Sequence, residues 1–208
     1  MEQIEQAVRC ALDPESTPDV KAQATQYCEQ VKKSPDGWQV CLQLFTKVPE
    51  RGSETRLFAL QAIEAMIADA GTRGDASGAA AKLDTARKIL LEFVSTQYSG
   101  DRYSSEPGFI KNTLAHTITM LGLATYPAQW PTFVKDLIGL AGIPDATGPL
   151  SEEGAGGVSA AGLSPTLVDF LLRFMGSLDE EMVSRAVPRG AEELARNTEI
   201  KDAMRVAD

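Results

Sequence analysis

The side chains most diagnostic of a metal or nucleophilic centre, histidine and cysteine, are few and widely spaced. The 208 residues include one histidine, His116, and three cysteines, Cys10, Cys28 and Cys41. A single histidine excludes the usual His-based multi-ligand metal sites, and cysteines on separate segments, without a C-x2-C spacing, do not replace them. A Ser-His-Asp triad built on His116 would need a nucleophile elbow or an oxyanion motif, and neither is written here. The glycine-rich pieces GTRGDASG (71–78) and GAGGVSAAG (154–162) lack the GK[ST] of a P-loop and the spacing of a dinucleotide fingerprint, so they read as linkers. Arg73-Gly74-Asp75 spells an adhesion tripeptide by chance. Asp179-Glu180-Glu181 has no paired carboxylate in view and reads as solvated surface. No catalytic residue, metal or cofactor is expected: the chain is not an enzyme.

Composition narrows the partners. The formal net charge of −9 opposes general nucleic-acid binding, leaves room for a local basic patch, and suits a basic protein partner. No apolar run approaches the roughly 18 residues of a membrane span, so no membrane partner is expected. The opening MEQIEQAVRCAL lacks a basic n-region, against a signal peptide. The cysteines read as reduced core thiols of an intracellular protein.

The remaining residues are organised by a helical period. Ile4, Val8 and Leu12 share one face, and Val20, Ala24, Tyr27 and Val31 share the next. Ser34-Pro35 reads as N-cap and first helical residue of a third helix, with Trp38, Leu42 and Phe45 inward. Ser53 caps a fourth, with Leu57, Leu60, Ile63 and Ile67. After 71–78, a loop by composition, a fifth carries Leu83, Ala86, Ile89, Leu90 and Phe93. A sixth starts near Pro107, with the seam Leu114, Ile118, Leu121, and Trp130-Pro131 opens a seventh with Phe133, Leu137 and Leu140. Residues 143–164 have no apolar period and read as a flexible loop. Pro165 starts an eighth helix with Leu167, Leu171, Phe174 and Leu178. A ninth runs from about Glu192 with Leu194, Ile200 and Met204.

Trp38, Ile89 and Phe133, on alternate helices, recur at 51 and 44 residues, close to the roughly 40–47 of HEAT-type repeats. A helix pair of this size cannot bury its own apolar face and must stack on the next. The expected fold is all-α: an α-solenoid of HEAT-type helical hairpins in a right-handed superhelical array, about four repeats plus a trailing helix. Trp38, Phe45, Phe93, Leu121, Phe133 and Phe174 should be buried. The array closes without a polar capping unit, as a piece of a longer chain would.

Four stretches occur in an order that carries a resemblance: SPDGWQVCLQLF (34–45), RLFALQAIEAMI (56–67), FIKNTLAHTITMLGLATYPAQWPTF (109–133) and RNTEIKDAMR (196–205). Together they resemble the N-terminal region of the tRNA exportins (exportin-T), a family within the importin-β (karyopherin) superfamily. The likeness covers the chain except 71–81 and about 143–164, which depart as small-residue insertions. It implies a nuclear export receptor that binds Ran-GTP, helps enclose tRNA and passes the nuclear pore through contacts with pore proteins, shuttling between nucleus and cytoplasm. By this resemblance residues 1–140 form the Ran-binding part, 143–164 a flexible loop, and 165–208 further repeat helices. A generic HEAT-repeat scaffold or another exportin of the same superfamily is the competing reading.

In the family, Ran sits on the inner helices, which here are the helices over 20–33, 53–70 and 107–124. The polar residues displaced from their apolar seams are the candidate Ran contacts: Lys21 and Thr25 on the first, with Lys32 on a similar face. Gln61 and Glu64 are the contacts on the second, with Ala68 beside them, and Lys111, Asn112, His116 and Thr119 those on the third. The tRNA-contacting residues stay unassigned.

Overall fold

Each apolar stripe becomes a helix whose ends are set by identifiable residues. The computed structural model of the chain describes residues 1–47, 51–72, 76–98, 101–141, 164–183 and 190–206. Ten helices are found among them: α1 Glu2–Leu12, α2 Pro18–Lys33, α3 Gly37–Thr46, α4 Ser53–Thr72, α5 Ala76–Gln97, α6 Asp101–Ser105, α7 Gly108–Thr125, α8 Phe133–Leu140, α9 Pro165–Met182 and α10 Ala191–Val206. No strand occurs among the described residues. α2 shows the local logic: Thr17 accepts a hydrogen bond from the Val20 N–H, Pro18 sits in the first turn, and Lys32 and Lys33 lie at the negative end of the helix dipole. Ser164 and Pro165 open α9 as N-cap and first residue.

Three expectations are corrected. Ser34-Pro35 does not open α3. Ser34 ends α2, its N–H donating to Val31 O, and Pro35-Asp36 turn the chain into Gly37. A Cβ on residue 37 would lie 1.9 Å from Val31 O, so only glycine permits that approach. The linker 71–78 is mostly helix: α4 runs through Thr72, and α5 starts at Ala76 because Ala79–Ala81 favour helix strongly enough to carry Gly78. Arg73-Gly74-Asp75 lies outside the described residues, as does the expected loop 143–164 apart from Ser164. Trp130 and Pro131 precede α8, whose N-cap is Thr132. α6, a single short turn, has no periodic signal in the sequence.

Packing follows sequence order. α1 packs on α2, α3 on α4, α5 on α7 and α8 on α9, giving four hairpins. The second helices also pack on one another, α2 on α4, α4 on α7 and α7 on α9, while α3 touches α5. This is a stack of hairpins in two layers, a HEAT-type α-solenoid. The central position of α4 explains why its buried face exceeds the expected stripe: Phe58, Ala59, Ala62 and Met66 join Leu60, Ile63 and Ile67, while Leu57 stays half-buried. The six expected core residues are all buried.

The corner between the third and fourth hairpins is filled by aromatics. The Trp130 and Phe133 rings lie 4.8 Å apart, and Phe133 meets Phe174 of α9 edge-on at 5.3 Å. Phe133 lies against Gly122 of α7, where a Cβ would come within 1.9 Å of the ring. Trp130 Nε1 donates to Asp136 Oδ2 at 2.6 Å, and Arg87 of α5 lies over the indole at 5.4 Å. A second aromatic run, Phe45–Phe93–Tyr98–Phe170, ties the second, third and fourth hairpins together.

Candidate protein-partner groove

The three neighbouring second helices α4, α7 and α9 leave a polar groove of about 510 Å³ along their exposed faces. Helical spacing brings Gln61 and Glu64 of α4 and Asn112 and His116 of α7 to its walls, while α9 contributes Arg173, Ser177 and Glu180. Two sets of contacts cross the groove, one centred on His116 and one on Arg173. His116 Nδ1 lies 2.8 Å from Glu64 Oε1, and its Nε2 lies 3.4 Å from Glu181 Oε1 of α9. The Thr117 hydroxyl lies 2.9 Å from the same Glu64 oxygen and 2.8 Å from Thr113 O. Asn112 Oδ1 accepts from Arg173 Nη1 at 2.5 Å, and Arg173 Nε donates to Asp169 Oδ2 at 2.9 Å.

Electrostatics follow these contacts. The hydrogen bond to Glu64 raises the His116 pKa above its usual 6.5, against the opposing effect of burial, with Glu181 adding to the rise. Asp169 is held below the usual carboxylate range, first by the hydrogen bond from the Tyr103 hydroxyl and then by Arg173. Beside the groove lies a more apolar notch of about 290 Å³ between α1, α2, α4 and the start of α7, lined by Leu12, Cys28, Phe58 and Phe109. It shares Leu57 and Gln61 with the groove, so the two form one continuous surface. Lys32 Nζ stands 5.4 Å above the Phe58 ring.

Four of the eight candidates, Gln61, Glu64, Asn112 and His116, therefore meet in one groove. Thr25 lies in the adjoining notch. The other three point elsewhere. Lys21 Nζ donates to Pro14 O at 3.2 Å in the α1–α2 connection, and Lys111 Nζ lies 3.9 Å above the Tyr103 ring. Thr119 is not on the polar face assigned to it: it is fully buried, with its hydroxyl donating to Ala115 O. Intrahelical satisfaction of the hydroxyl lets threonine stand among apolar neighbours.

The α9 contribution was missed from sequence. Asp169 and Arg173, an i,i+4 pair on α9, carry no signal that singles them out in the sequence, and Glu181, placed there in a solvated acidic cluster, reaches His116. Among the described residues no cluster of three or more His, Cys, Asp or Glu fit to hold a metal is found, and no helix is long and apolar enough to cross a membrane. The groove's groups are hydrogen-bond donors, acceptors and charges suited to binding a polar partner.

Comparison with known proteins adds the lineage. A family profile described as Exportin 1-like protein matches residues 107–207. Exportin-T of Chaetomium globosum is 30% identical over 207 residues, covering 99% of this chain and 18% of the relative. Exportin-T of Aspergillus clavatus is 32% identical over 211 residues, covering 100% and 18%. Exportin-T of Pyricularia oryzae is 31% identical over 208 residues, covering 99% and 18%. The chain thus spans 18% of the length of these relatives.

Proposed function

The chain belongs to the exportin family of the importin-β superfamily, and from that premise we propose that its second-helix layer is where a nuclear export receptor holds GTP-bound Ran. The groove between α4, α7 and α9 forms the centre of that surface, and the notch at Phe109 and Leu12 flanks it. The observation that supports this reading is the convergence of Gln61, Glu64, Asn112 and His116, from helices about 50 residues apart, on one exposed groove. A polar centre bordered by an apolar notch with Phe109 exposed by 48% and Leu12 by 62% matches the composition of a specific protein interface.

RNA fits this groove poorly. Glu64, Glu180 and Glu181 would meet phosphates with like charge, on a chain of net charge −9. Enclosure of tRNA, passage past nuclear-pore proteins and shuttling between nucleus and cytoplasm are roles we assign to the longer receptor. RNA binding by these 208 residues should be weak and strongly salt-sensitive.

Discrimination between nucleotide states is the test, because ordered switch regions exist only with GTP bound. In biolayer interferometry the chain should bind Ran-GTP and not Ran-GDP. Asn112→Ala and Gln61→Ala should each cost about 1–3 kcal/mol if their partners are desolvated on binding. Gln39→Ala, exposed on α3 in the other layer, should leave binding unchanged. Equal binding of both nucleotide states would return the chain to the class of generic helical-repeat scaffolds.

A further inference from the structure

We propose that His116 closes a pH-sensitive clip: the doubly protonated ring ties the C-terminal end of α9 across α7 to α4, and the neutral ring releases that end. The geometry sets this requirement. Both ring nitrogens face carboxylate oxygens, Nδ1 that of Glu64 and Nε2 that of Glu181. A neutral imidazole carries one N–H, so it can donate to only one of them, and its other nitrogen then directs a lone pair at a carboxylate. Glu64 is the nearer, at 2.8 Å, so the neutral ring keeps its proton on Nδ1 and it is Glu181, at 3.4 Å, that is lost.

Packing gives that contact more weight at the end of α9 than it would have in the middle. The main core on α9 runs through Leu167, Phe170, Leu171 and Phe174. Beyond it, the end of α9 is held by a separate small cluster of Leu123, Met182 and Ile200 and by Asn197 Nδ2 donating to Glu181 O at 2.9 Å. The midsection is tethered independently through Arg173 and Asn112, a contact that does not titrate near neutrality because Arg173 stays charged. α9 therefore has a firmly packed middle and a more lightly held end, one of whose few attachments depends on a proton.

The charged groups facing His116 are Glu64 from α4 and Glu180, Glu181 and Arg173 from α9, with Glu193 and Arg196 of α10 bordering Glu181 from the far side. Carboxylates dominate this set, and the raised pKa of His116 agrees with it. Because the folded value lies above the ordinary 6.5, the clip is fully closed below 6.5 and is lost as pH rises through the folded value. Resting on the Ran-binding reading, the consequence is that opening the clip widens the groove and speeds capture of Ran-GTP.

His116 is the only histidine, so its ring C–H resonance can be followed alone in the 208-residue chain. The native midpoint should lie above 6.5, and it should fall in Glu181→Gln, with fold checked by circular dichroism. Amide exchange over 178–183, corrected for intrinsic rates, should show native protection falling as pH rises from 6 towards 8. In His116→Gln and Glu181→Gln that pH dependence should disappear. An unchanged midpoint in Glu181→Gln, or native exchange without pH dependence, overturns the clip. Ran-GTP association at the same pH values separates the two readings. Nucleotide-blind or absent Ran binding counts against the proposed function and leaves the resonance and exchange results to judge the clip.

Discussion

Two sets of residues carry chemistry outside the groove. Arg56 and Glu106 form a buried ion pair, Nη1 to Oε1 at 2.5 Å with side chains 3% and 1% exposed, and the guanidinium covers the Phe45 ring at 4.7 Å. Desolvation makes such a pair a modest net stabiliser, but removing one partner strands the other charge. Arg56→Met or Glu106→Gln should therefore cost about 3–5 kcal/mol in denaturant titrations, and the double variant should cost less than the two single losses combined. The cysteines form the second set. Burial raises the Cys28 thiol and pushes Cys41 up to about 12, so neither supplies thiolate at neutral pH. Cys10 is half-buried. Mass spectrometry of the native protein treated with iodoacetamide should find Cys10 alkylated first and Cys41 last.

At the scale of elements, helices meet through residues chosen for shape. Gly122 gives Phe133 its seat at the corner, so the third and fourth hairpins approach more closely there than any side chain allows. Gly122→Ala should cost about 1–3 kcal/mol by overpacking, outweighing the better helix propensity of alanine. Phe133→Leu in the same chain should recover part of that loss, which a thermal-denaturation double-mutant cycle would read as favourable coupling. The α2–α3 junction uses Gly37 in the same way. This second close contact was legible only as a helix boundary, and the sequence places that boundary two residues early because Ser-Pro matches a helix start as well as a turn.

The whole molecule is a one-dimensional stack in which each hairpin leans chiefly on its neighbours, so a local defect should stay near its origin. Phe174, fully buried between α8 and α9, tests this. Phe174→Ala should cost about 3–5 kcal/mol, and hydrogen exchange should locate most of the lost protection in α8, α9 and the adjoining turns of α7. α1 and α2 should keep theirs. Uniform loss over all four hairpins would instead indicate one closed cooperative core.

The sequence by itself determined nine of the ten described helices to within a few residues, their stacking as hairpins, the six core residues it named and the family. These rest on a 3.6-residue period, on capping chemistry and on four ordered stretches, all readable within a few turns of chain. It also picked Gln61, Glu64, Asn112 and His116, because displacement from an apolar seam is a local property of one helix. Tertiary structure alone decided which of those residues share a groove and what faces them from across it. Thr119 turned inward because α7 is packed on by α4, α5 and α9 and keeps little polar face. Arg173 and Glu181 turned towards α7 because the stacking of α9 sets their direction. Intrahelical spacing fixes which residues share a face; the neighbour that covers the face is fixed by contacts between residues 50 to 70 positions apart, which no local period encodes.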